Sequence, residues 1–452
     1  MKPAMELRFG KSRKKVKKSL PWISQLITSE KDALDLLSDI SVTTRIKGDS
    51  RCIYCKGRFN LCGRMKCPVA ARAWAYVKTR DLMSENLEGA SPPGVFVGRI
   101  GYPYVQAGPM VPPFSGDTSS LDTTEHWYGS SMNDIVNFRS KLIRGKFRVN
   151  VNKPHQGTKL LDQTRELTLS RAPVEVEVVF KKKPIQTIML DSDVQPMGPS
   201  APLKEFSIGN GKTCQRLEVA HLDTDLNAKE AIRYLYMNRV LGSQIVKAFS
   251  VGMFGVEKKR RLVPTRWSIT AIDSTMGLYF IDRLRGNDWI NEYRIYEVNY
   301  LHNRFVILMI PQFWSYELIE AWWPGSTWNP DGKKIGMCSD WEGPNGRKSY
   351  ASIGGCYYAA RCMVAEHLAK EGRQAATVIM RETKPSQIMP VGVWLVRECV
   401  RQALKIRPYR FSTGKEAFEH LSTRLEIPLQ TWIETSGVLQ DRRRQTRLEH
   451  WL

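Results

Sequence analysis

The sequence contains no uninterrupted apolar run of the ~18–20 residues that a membrane-spanning helix requires. Its first residues carry many cations, but no apolar segment follows them that would make a secretory signal. A phosphate-binding glycine loop, a nucleophile elbow and a dinucleotide fingerprint are also lacking. We therefore expect a cytoplasmic protein with no membrane partner, and the catalytic residues, if the chain has any, stay unknown.

Acidic residues are few compared with basic ones. The 45 Asp and Glu residues stand against 68 Lys and Arg, which leaves a formal net charge of +23. A field of that size attracts polyanions, because neutralising phosphates releases condensed counterions. The balance of charge therefore predicts a nucleic-acid partner, and the densest run of cations, at 11–18, predicts a solvated basic arm.

Helix and strand patterns interleave along the 452 residues, which predicts a mixed α/β (α+β) fold. Amphipathic periodicity predicts helices at 133–145, 227–249, 356–372 and 391–404. Alternating or continuous apolar runs predict strands at 174–180, 292–300, 303–311 and 375–382. We expect a monomer, although nothing in the sequence fixes the oligomeric state.

Changes in composition divide the chain into five segments. A polar, turn-rich stretch at 325–345 predicts the main boundary. The segments are a basic N-terminal arm with a short helix (1–45), a four-cysteine module (46–72), a main α/β domain (73–330), a C-terminal α/β domain (331–438) and a C-terminal tail (439–452).

Four of the nine cysteines lie within sixteen residues and predict a metal site. Their spacing is C-x2-C-x6-C-x4-C, and the four are Cys52, Cys55, Cys62 and Cys67. Four thiolates suit one tetrahedral Zn2+ with no open position for water, which indicates a structural ion. An iron–sulfur cluster is the alternative, because Cys67 is followed by proline as in a ferredoxin-type run.

Three stretches resemble one family. FVGRIGYPYVQAGPM (96–110), RRLVPTRWSITAID (260–273) and PVGVWLVRECVR (390–401) are similar to sequences of the NreA family of archaeal DNA repair proteins. The likeness runs from about residue 48 to the end of the chain. The resemblance implies a cytosolic archaeal protein with two family domains, linked to DNA damage and to the replication sliding clamp.

Basic and aromatic residues in these regions are candidates for binding DNA or a nucleotide, because bases stack on aromatic rings and on guanidinium planes. The candidates are Arg99, Tyr102, Tyr104, Arg139, Arg144, Arg266 and Trp267. A structural alternative exists for each group. The tyrosines would then cover the core of a stiff loop, and Trp267 would be buried while Arg266 pairs with Asp273.

The motif HLDTD places His221, Asp223 and Asp225 at alternating positions, which on a strand would suit a divalent ion. Capping of the following helix is the simpler interpretation. The leading hypothesis is a DNA-binding repair factor. The alternatives are a nucleotide-using enzyme that modifies DNA, either ADP-ribosyltransferase-like or a metal-dependent nuclease, and a binder of RNA or ribosomes.

The final residues, QTRLEHWL, predict a sliding-clamp-binding motif. Such peptides have the form Gln-x-x-aliphatic-x-x-aromatic-aromatic, and the matching residues are Gln445, Leu448, Trp451 and Leu452. Leucine replaces the usual second aromatic residue at the last position. Helical spacing brings the three apolar side chains together as one plug for a partner's pocket. The alternative is an amphipathic last turn packed on its own domain.

Overall fold

The computed structural model describes residues 41–44, 50–59, 61, 66–153, 158–190 and 194–441. The chain divides into two compact units. The first comprises the chain up to Ala231 together with Asn238–Thr265, and the second comprises Ile232–Met237 together with the chain from Arg266 onward. This division falls at Thr265, whereas the sequence predicts its main boundary near residue 330.

The first unit contains one six-stranded sheet and a two-stranded sheet. Its strands are β1 (Ser41–Thr44), β2 (Asn86–Ser91), β3 (Val95–Val97), β4 (Tyr104–Val111), β5 (Ile143–Asn150), β6 (Val174–Phe180), β7 (Thr187–Leu190) and β8 (Ser200–Ile208). The large sheet has the order β2-β6-β8-β5-β4-β3, in which β5 and β8 are parallel and the other neighbours are antiparallel. β1 and β7 form the small parallel sheet.

The helices of the first unit lie between and after these strands along the chain. They are α1 (Ser50–Cys55), α2 (Pro68–Arg80), α3 (Met132–Ser140), α4 (Lys159–Leu169), α5 (Gln215–Leu222), α6 (Ala228–Met237) and α7 (Gly242–Ser250). The division between the units passes through α6. The helix predicted over 227–249 is therefore two helices, and Arg239 adopts a left-handed conformation (φ 62°) in the break between them.

The prediction of one helix over 133–145 is wrong at its C-terminal end. A capping box between Ser131 and Asp134 starts α3, but the helix ends at Ser140 and β5 begins at Ile143. Gly145 therefore lies inside a strand, opposite β8, and does not cap a helix. The correction matters because residues 143–150 alternate between the two faces of the sheet.

The second unit contains the other six-stranded sheet. Its strands are β9 (Tyr293–Tyr300), β10 (Asn303–Ile310), β11 (Ser315–Trp322), β12 (Gly336–Glu342), β13 (Ala376–Thr383) and β14 (Tyr409–Phe411). The order is β12-β11-β13-β10-β9-β14, and only β11 and β13 are parallel. The predicted hairpin is confirmed, because Leu301 and His302 form a tight turn with positive φ between β9 and β10.

Helices cover both faces of this sheet, since every residue of β13 is buried. The helices are α8 (Thr265–Leu284), α9 (Gly355–Glu371), α10 (Trp394–Ala403), α11 (Gly414–Arg424) and α12 (Leu429–Thr435). On one face, side chains of α11 and α12 such as Leu421 and Trp432 join the aliphatic core of the sheet. The mixed α and β class predicted from the sequence is confirmed.

Candidate nucleic-acid interface

The hairpin between β3 and β4 presents three of the predicted residues to solvent. The Gly98 N–H donates to the Gln106 carbonyl at 2.7 Å and closes the hairpin, and Gly101 turns it with a φ of 83°. Arg99 is exposed, and Tyr102 and Tyr104 keep about half of their surface in water, at 51% and 49%. The exposed half of the Tyr104 ring is thus available for stacking.

Strand β5 places three cations on one face of the first unit's sheet, where Arg148 is exposed and Arg144 and Lys146 are half-buried. Arg144, Lys146 and Arg148 alternate with the buried Ile143, Gly145 and Phe147, as residues of a strand must. We name these three cations, with Tyr104 of β4, the basic strip. Alternate residues of a strand are about 7 Å apart, so the three positive charges form a line.

The guanidinium of Arg148 lies 5.0 Å from the centre of the Tyr104 ring. Arg148 is directly opposite Gln106 in the β4–β5 ladder, and Tyr104 is the next residue of β4 on the same face. This cation–π contact fixes the ring beside the line of charges. The strip therefore combines positive charge with an aromatic surface.

At the other end of the strip, Arg144 is bonded to groups that carry no negative charge. Its Nε and Nη2 donate to the Gly198 carbonyl at 3.3 and 3.1 Å, and its Nη1 lies 3.2 Å from the Met197 Sδ. Burial lowers the pKa of Arg144 to about 10. Among the residues that the structure describes, no carboxylate pairs with it, and a thioether is a weak acceptor, so donor capacity remains for an anion.

Lys146 lies in the middle of the strip, and its surroundings destabilise the charged form of its side chain. Burial, followed by the positive charges of Arg144 and Lys182, lowers the pKa of Lys146 to about 8. Pro202 is its partner on β8, and Gly108 of β4 lies against the residues on either side of it in the strand, Gly145 and Phe147. A Cβ on Gly108 would come within 2.0 Å of the Gly145 carbonyl oxygen, so the position excludes a side chain.

The sequence predicts that Arg139 and Arg144 lie on one helix, and this prediction is wrong. Arg144 lies on β5, whereas Arg139 lies on α3. Arg139 donates to Asp122 at 3.1 Å and stacks 4.7 Å from the Trp127 ring centre. The buried Lys247 also binds Asp122, at 2.7 Å. Since its charge is used inside the fold, Arg139 is not part of the basic strip.

Arg266 and Trp267 lie in the first turn of α8, and both side chains are exposed, Trp267 by 46%. The alternative in which Trp267 is buried is therefore wrong. Asp273, the partner considered for Arg266, is held by Arg397 of α10 through Nε at 2.9 Å and through Nη2. Arg266 and Trp267 stay candidates for binding nucleic acid.

Three of the four predicted zinc ligands lie in the described part of the chain. Cys52 and Cys55 are buried one turn apart on α1, and Cys67 is the N-cap of α2. The Phe59 N–H donates to the Cys55 Sγ at 3.3 Å and the Ala70 N–H to the Cys67 Sγ at 3.5 Å. These contacts favour thiolates, as does the N-terminus of a helix, and thiolates are the donors that a zinc ion prefers.

The remaining ligand, Cys62, lies outside the described residues. Without it, the described residues hold no group of three or more His, Cys, Asp or Glu side chains arranged to bind a metal ion. Lys56 and Gly57 follow the second cysteine with φ values of 45° and 84°, so the chain reverses direction there. A reversal at this position suits a loop that returns to a small ligand sphere.

The predicted clamp-binding residues also lie outside the described residues, which end at Asp441. The segment that precedes them is anchored to β11. The carboxylate of Glu317 accepts the Gly437 N–H at 2.9 Å, the Val438 N–H at 3.1 Å and the Ser436 hydroxyl. Ser436 in turn caps the helical turn at 437–441, because its Oγ accepts the Leu439 N–H at 3.0 Å.

The motif HLDTD is not an extended strand. His221 lies in the last turn of α5, and its Nδ1 is 3.1 Å from the Met253 carbonyl oxygen. Asp223 Oδ1 accepts the N–H groups of Asp225 and Leu226 at 3.1 and 2.9 Å, which closes a turn before α6. Asn227 caps α6, because its Oδ1 accepts the Glu230 N–H at 3.0 Å, so the capping interpretation is confirmed for Asn227 and not for a carboxylate of the motif.

Sequence reasoning missed Lys146, Arg148 and Lys182 as members of this surface. The signal was present, because RGKFR (144–148) alternates between cations and residues of the sheet's buried face. Assigning Arg144 to a helix hid that alternation.

In the described part of the chain, no helix is both long enough and apolar enough to cross a membrane.

Comparison with known proteins identifies the family. The family model for the N-terminal domain of archaeal Nre proteins matches residues 61–329, and the model for their C-terminal domain matches 342–451. The chain therefore belongs to the archaeal Nre family. The predicted boundary at 330/331 falls between the two matched ranges.

Among its relatives, the DNA repair protein NreB of Archaeoglobus fulgidus is 39% identical over 400 residues, which are 88% of this chain and 99% of that protein. The DNA repair protein NreA of the same organism is 35% identical over 83% of this chain and 94% of its own length. The NreA of Haloferax volcanii is 35% identical, with coverages of 77% and 85%. No solved structure gives a significant match.

Proposed function

We propose that this protein is a DNA repair factor that binds DNA through the basic strip. The observation that carries the proposal is the line of Arg144, Lys146 and Arg148 beside an exposed tyrosine ring. Repair is the function named for its relatives from Archaeoglobus and Haloferax. The excess of positive charge over the whole chain supports a polyanionic ligand.

The lack of carboxylate partners supports a ligand rather than an internal role for these cations. In the described residues, Arg144, Lys146 and Arg148 form no ion pair, whereas Arg139, nearby in sequence, is neutralised by Asp122. Placing like charges side by side on a sheet is destabilising by itself. A row of phosphates would convert that repulsion into attraction.

A test of the proposal compares DNA binding by the full-length protein and by the variant R144A/K146A/R148A. We expect the variant to bind much more weakly and its salt dependence to be shallower, because each phosphate contact contributes about 0.7–0.9 to the slope of log K against log salt. Fluorescence anisotropy with a labelled oligonucleotide from low to high salt measures both quantities.

The matched control is R285A, which removes an exposed arginine that directly follows α8 and is paired with Asp282. Its DNA affinity should equal that of the unmodified protein. If the triple variant keeps full affinity and slope while remaining folded, the DNA surface is elsewhere and the proposal fails.

Recruitment to the replication sliding clamp is the second part of the proposal. Its support is the match of Gln445, Leu448, Trp451 and Leu452 to the clamp-binding pattern. Burying the three apolar side chains contributes roughly 5–9 kcal/mol before the cost of ordering the tail, about 2–5 kcal/mol, is subtracted. The cations at 442–444 would approach an acidic partner first and raise the association rate.

A structural zinc ion is the third part. Cys52, Cys55, Cys62 and Cys67 would hold it, and the ion would supply folding energy to a segment with few apolar residues of its own. Two described features support thiolate ligands: the N–H donors to Cys55 and Cys67, and the position of Cys67 at the N-terminus of α2. An iron–sulfur cluster would instead give visible absorbance and bound iron.

A further inference from the structure

We infer that the basic strip takes single-stranded DNA, with the phosphate backbone along β5 and an unpaired base on the ring of Tyr104. The inference rests on the proposed function and narrows it, because DNA binding alone does not specify whether the strands are paired. Four features of the strip argue for unpaired DNA.

The first feature is the shape of the surface. β5 has β8, β6 and β2 on one side and β4 and β3 on the other. Strands lie about 4.8 Å apart, so this six-stranded sheet is roughly 24 Å wide. The major groove of duplex DNA is only about 12 Å wide and admits a helix or a two-stranded ribbon. The strip therefore cannot reach the base edges of a duplex.

The second feature is the exposed ring. The guanidinium of Arg148 covers part of the Tyr104 ring. In the described residues, no other aromatic ring contacts Tyr104, and its hydroxyl has no hydrogen-bond partner. A base inside a duplex is already stacked on both faces and hidden by its neighbours. Only an unpaired or flipped base can stack on a protein ring.

The third feature is the line of charge. Arg144, Lys146 and Arg148 extend over about 14 Å in one direction, because alternate residues repeat every ~7 Å along a strand. A straight row of cations on a flat sheet follows an extended single strand over several nucleotides. The two phosphate rows of a duplex curve away from such a surface.

The fourth feature is the low relief around the central cation. Pro202 is the partner of Lys146 on β8, and its short ring carries no side chain that extends over the lysine. A polynucleotide backbone can thus approach the sheet closely on the β8 side of Lys146. Lys182, whose charge acts on Lys146, borders the same place from the loop after β6.

Binding of the full-length protein to a labelled oligothymidylate of about 12 nucleotides, within the usual range of single-strand sites, is the first measurement. It is compared with a blunt duplex of equal length and with the corresponding oligouridylate. We expect the single-stranded DNA to bind more tightly than the duplex. A preference for the duplex, or tighter binding of the RNA, would overturn the inference.

The variant Y104A isolates the stacking contribution. We expect it to weaken oligothymidylate binding by about 5- to 150-fold, the range for loss of one stacked base, and to leave duplex binding unchanged. Y104F, which keeps the ring, should retain most of the affinity. Equal losses for both DNA forms, or no loss in Y104A, would contradict the stacking role. Half of Tyr104 is exposed, so both variants should fold, and thermal melting checks this.

The triple variant separates this inference from the proposed function. If R144A/K146A/R148A loses DNA binding while Y104A binds single strands normally, the strip binds DNA but not in the inferred way. If neither set of changes affects binding, both the inference and the assigned surface are wrong. Photo-crosslinking of a 5-iodouracil oligonucleotide, followed by peptide mapping, should label Tyr104; labelling only outside β4 and β5 would count against the inference.

Discussion

Asp273 on α8 holds the guanidinium of Arg397 on α10 through both of its carboxylate oxygens. Both side chains are mostly buried, at 6% and 17% exposed. The pair joins the end of RRLVPTRWSITAID to the middle of PVGVWLVRECVR, two of the stretches that resemble the family. These stretches therefore share a structural link inside the second unit.

Removing one partner of this pair should destabilise the protein. We expect D273A to lower the free energy of unfolding by about 3–5 kcal/mol, because Arg397 would remain largely buried without its counter-charge. Urea titration followed by circular dichroism measures the change. D282A, which removes the exposed partner of Arg285 from the same helix, should cost at most about 1 kcal/mol. Similar losses in both variants would show that burial does not determine how much an ion pair contributes to the free energy of unfolding.

DNA affinity should depend on the charge of Lys146. Its pKa is lowered to about 8, so the side chain is charged below pH 8 and neutral above it. Binding should therefore weaken as the pH rises from 7 to 9. The slope of log K against log salt should become shallower by about 0.7–0.9, the contribution of one phosphate contact. Anisotropy at several pH values tests this. K146R, which stays charged over this range, should remove the pH step; a step that persists in K146R would assign it to another group.

Glu317 should hold the last described segment in place. E317A removes the acceptor of the Gly437 and Val438 N–H groups, so we expect faster amide exchange at 436–441 and a loss of stability of about 1–3 kcal/mol. Hydrogen exchange followed by mass spectrometry resolves this segment. E419A, at an exposed site of α11, is the control and should leave exchange there unchanged. Unaltered exchange in E317A would refute the anchoring role.

Metal removal should act on the cysteine module. We expect about one zinc ion per chain in the purified protein, and a chelator should release it and unfold α1 and the start of α2. Elemental analysis gives the metal, and exchange at 50–80 gives the structural response. C52S should reproduce the chelated state, whereas C214S, outside the module, should retain the metal. Bound iron without zinc would favour the iron–sulfur alternative.

Deleting residues 445–452 should abolish binding to the replication sliding clamp and leave folding and DNA binding intact. Isothermal titration with the purified clamp measures the loss, and a synthetic peptide of 439–452 should bind by itself. W451A tests the apolar plug, and R447A, a change between the pattern positions, is its control. Loss of folding on deletion would instead support a tail packed on its own domain.

Local patterns predicted much of the secondary structure. The strand at 174–180 matches β6 residue for residue, and the hairpin at 292–311 is present because its turn and its two apolar runs are neighbours in sequence. The helix at 356–372 corresponds to α9, which ends at Gly372 in a left-handed conformation. In each case the deciding interactions lie within a few residues.

Other predictions failed where partners distant in sequence decide. Ile143–Asn150 forms a strand because β4 and β8 pair with it, and β8 begins some fifty residues later. The same distance explains why the basic strip was found only in part. Arg144 and Tyr104 were chosen from their own stretches, but their position on one face depends on the register between β4 and β5, which neither stretch contains.

The split of α6 has a consequence for how the chain is made. Ile232–Met237 belongs with the second unit, where Tyr236 donates to Glu366 at 2.9 Å. During synthesis from the N-terminus, these residues leave the ribosome more than one hundred residues before α9 exists. Tyr236 therefore has no Glu366 to bond with until that helix has been made. A fragment that ends at residue 265 would contain Ile232–Met237 without the unit to which these residues belong. Separately produced halves of this protein are therefore expected to aggregate under conditions in which the whole chain does not.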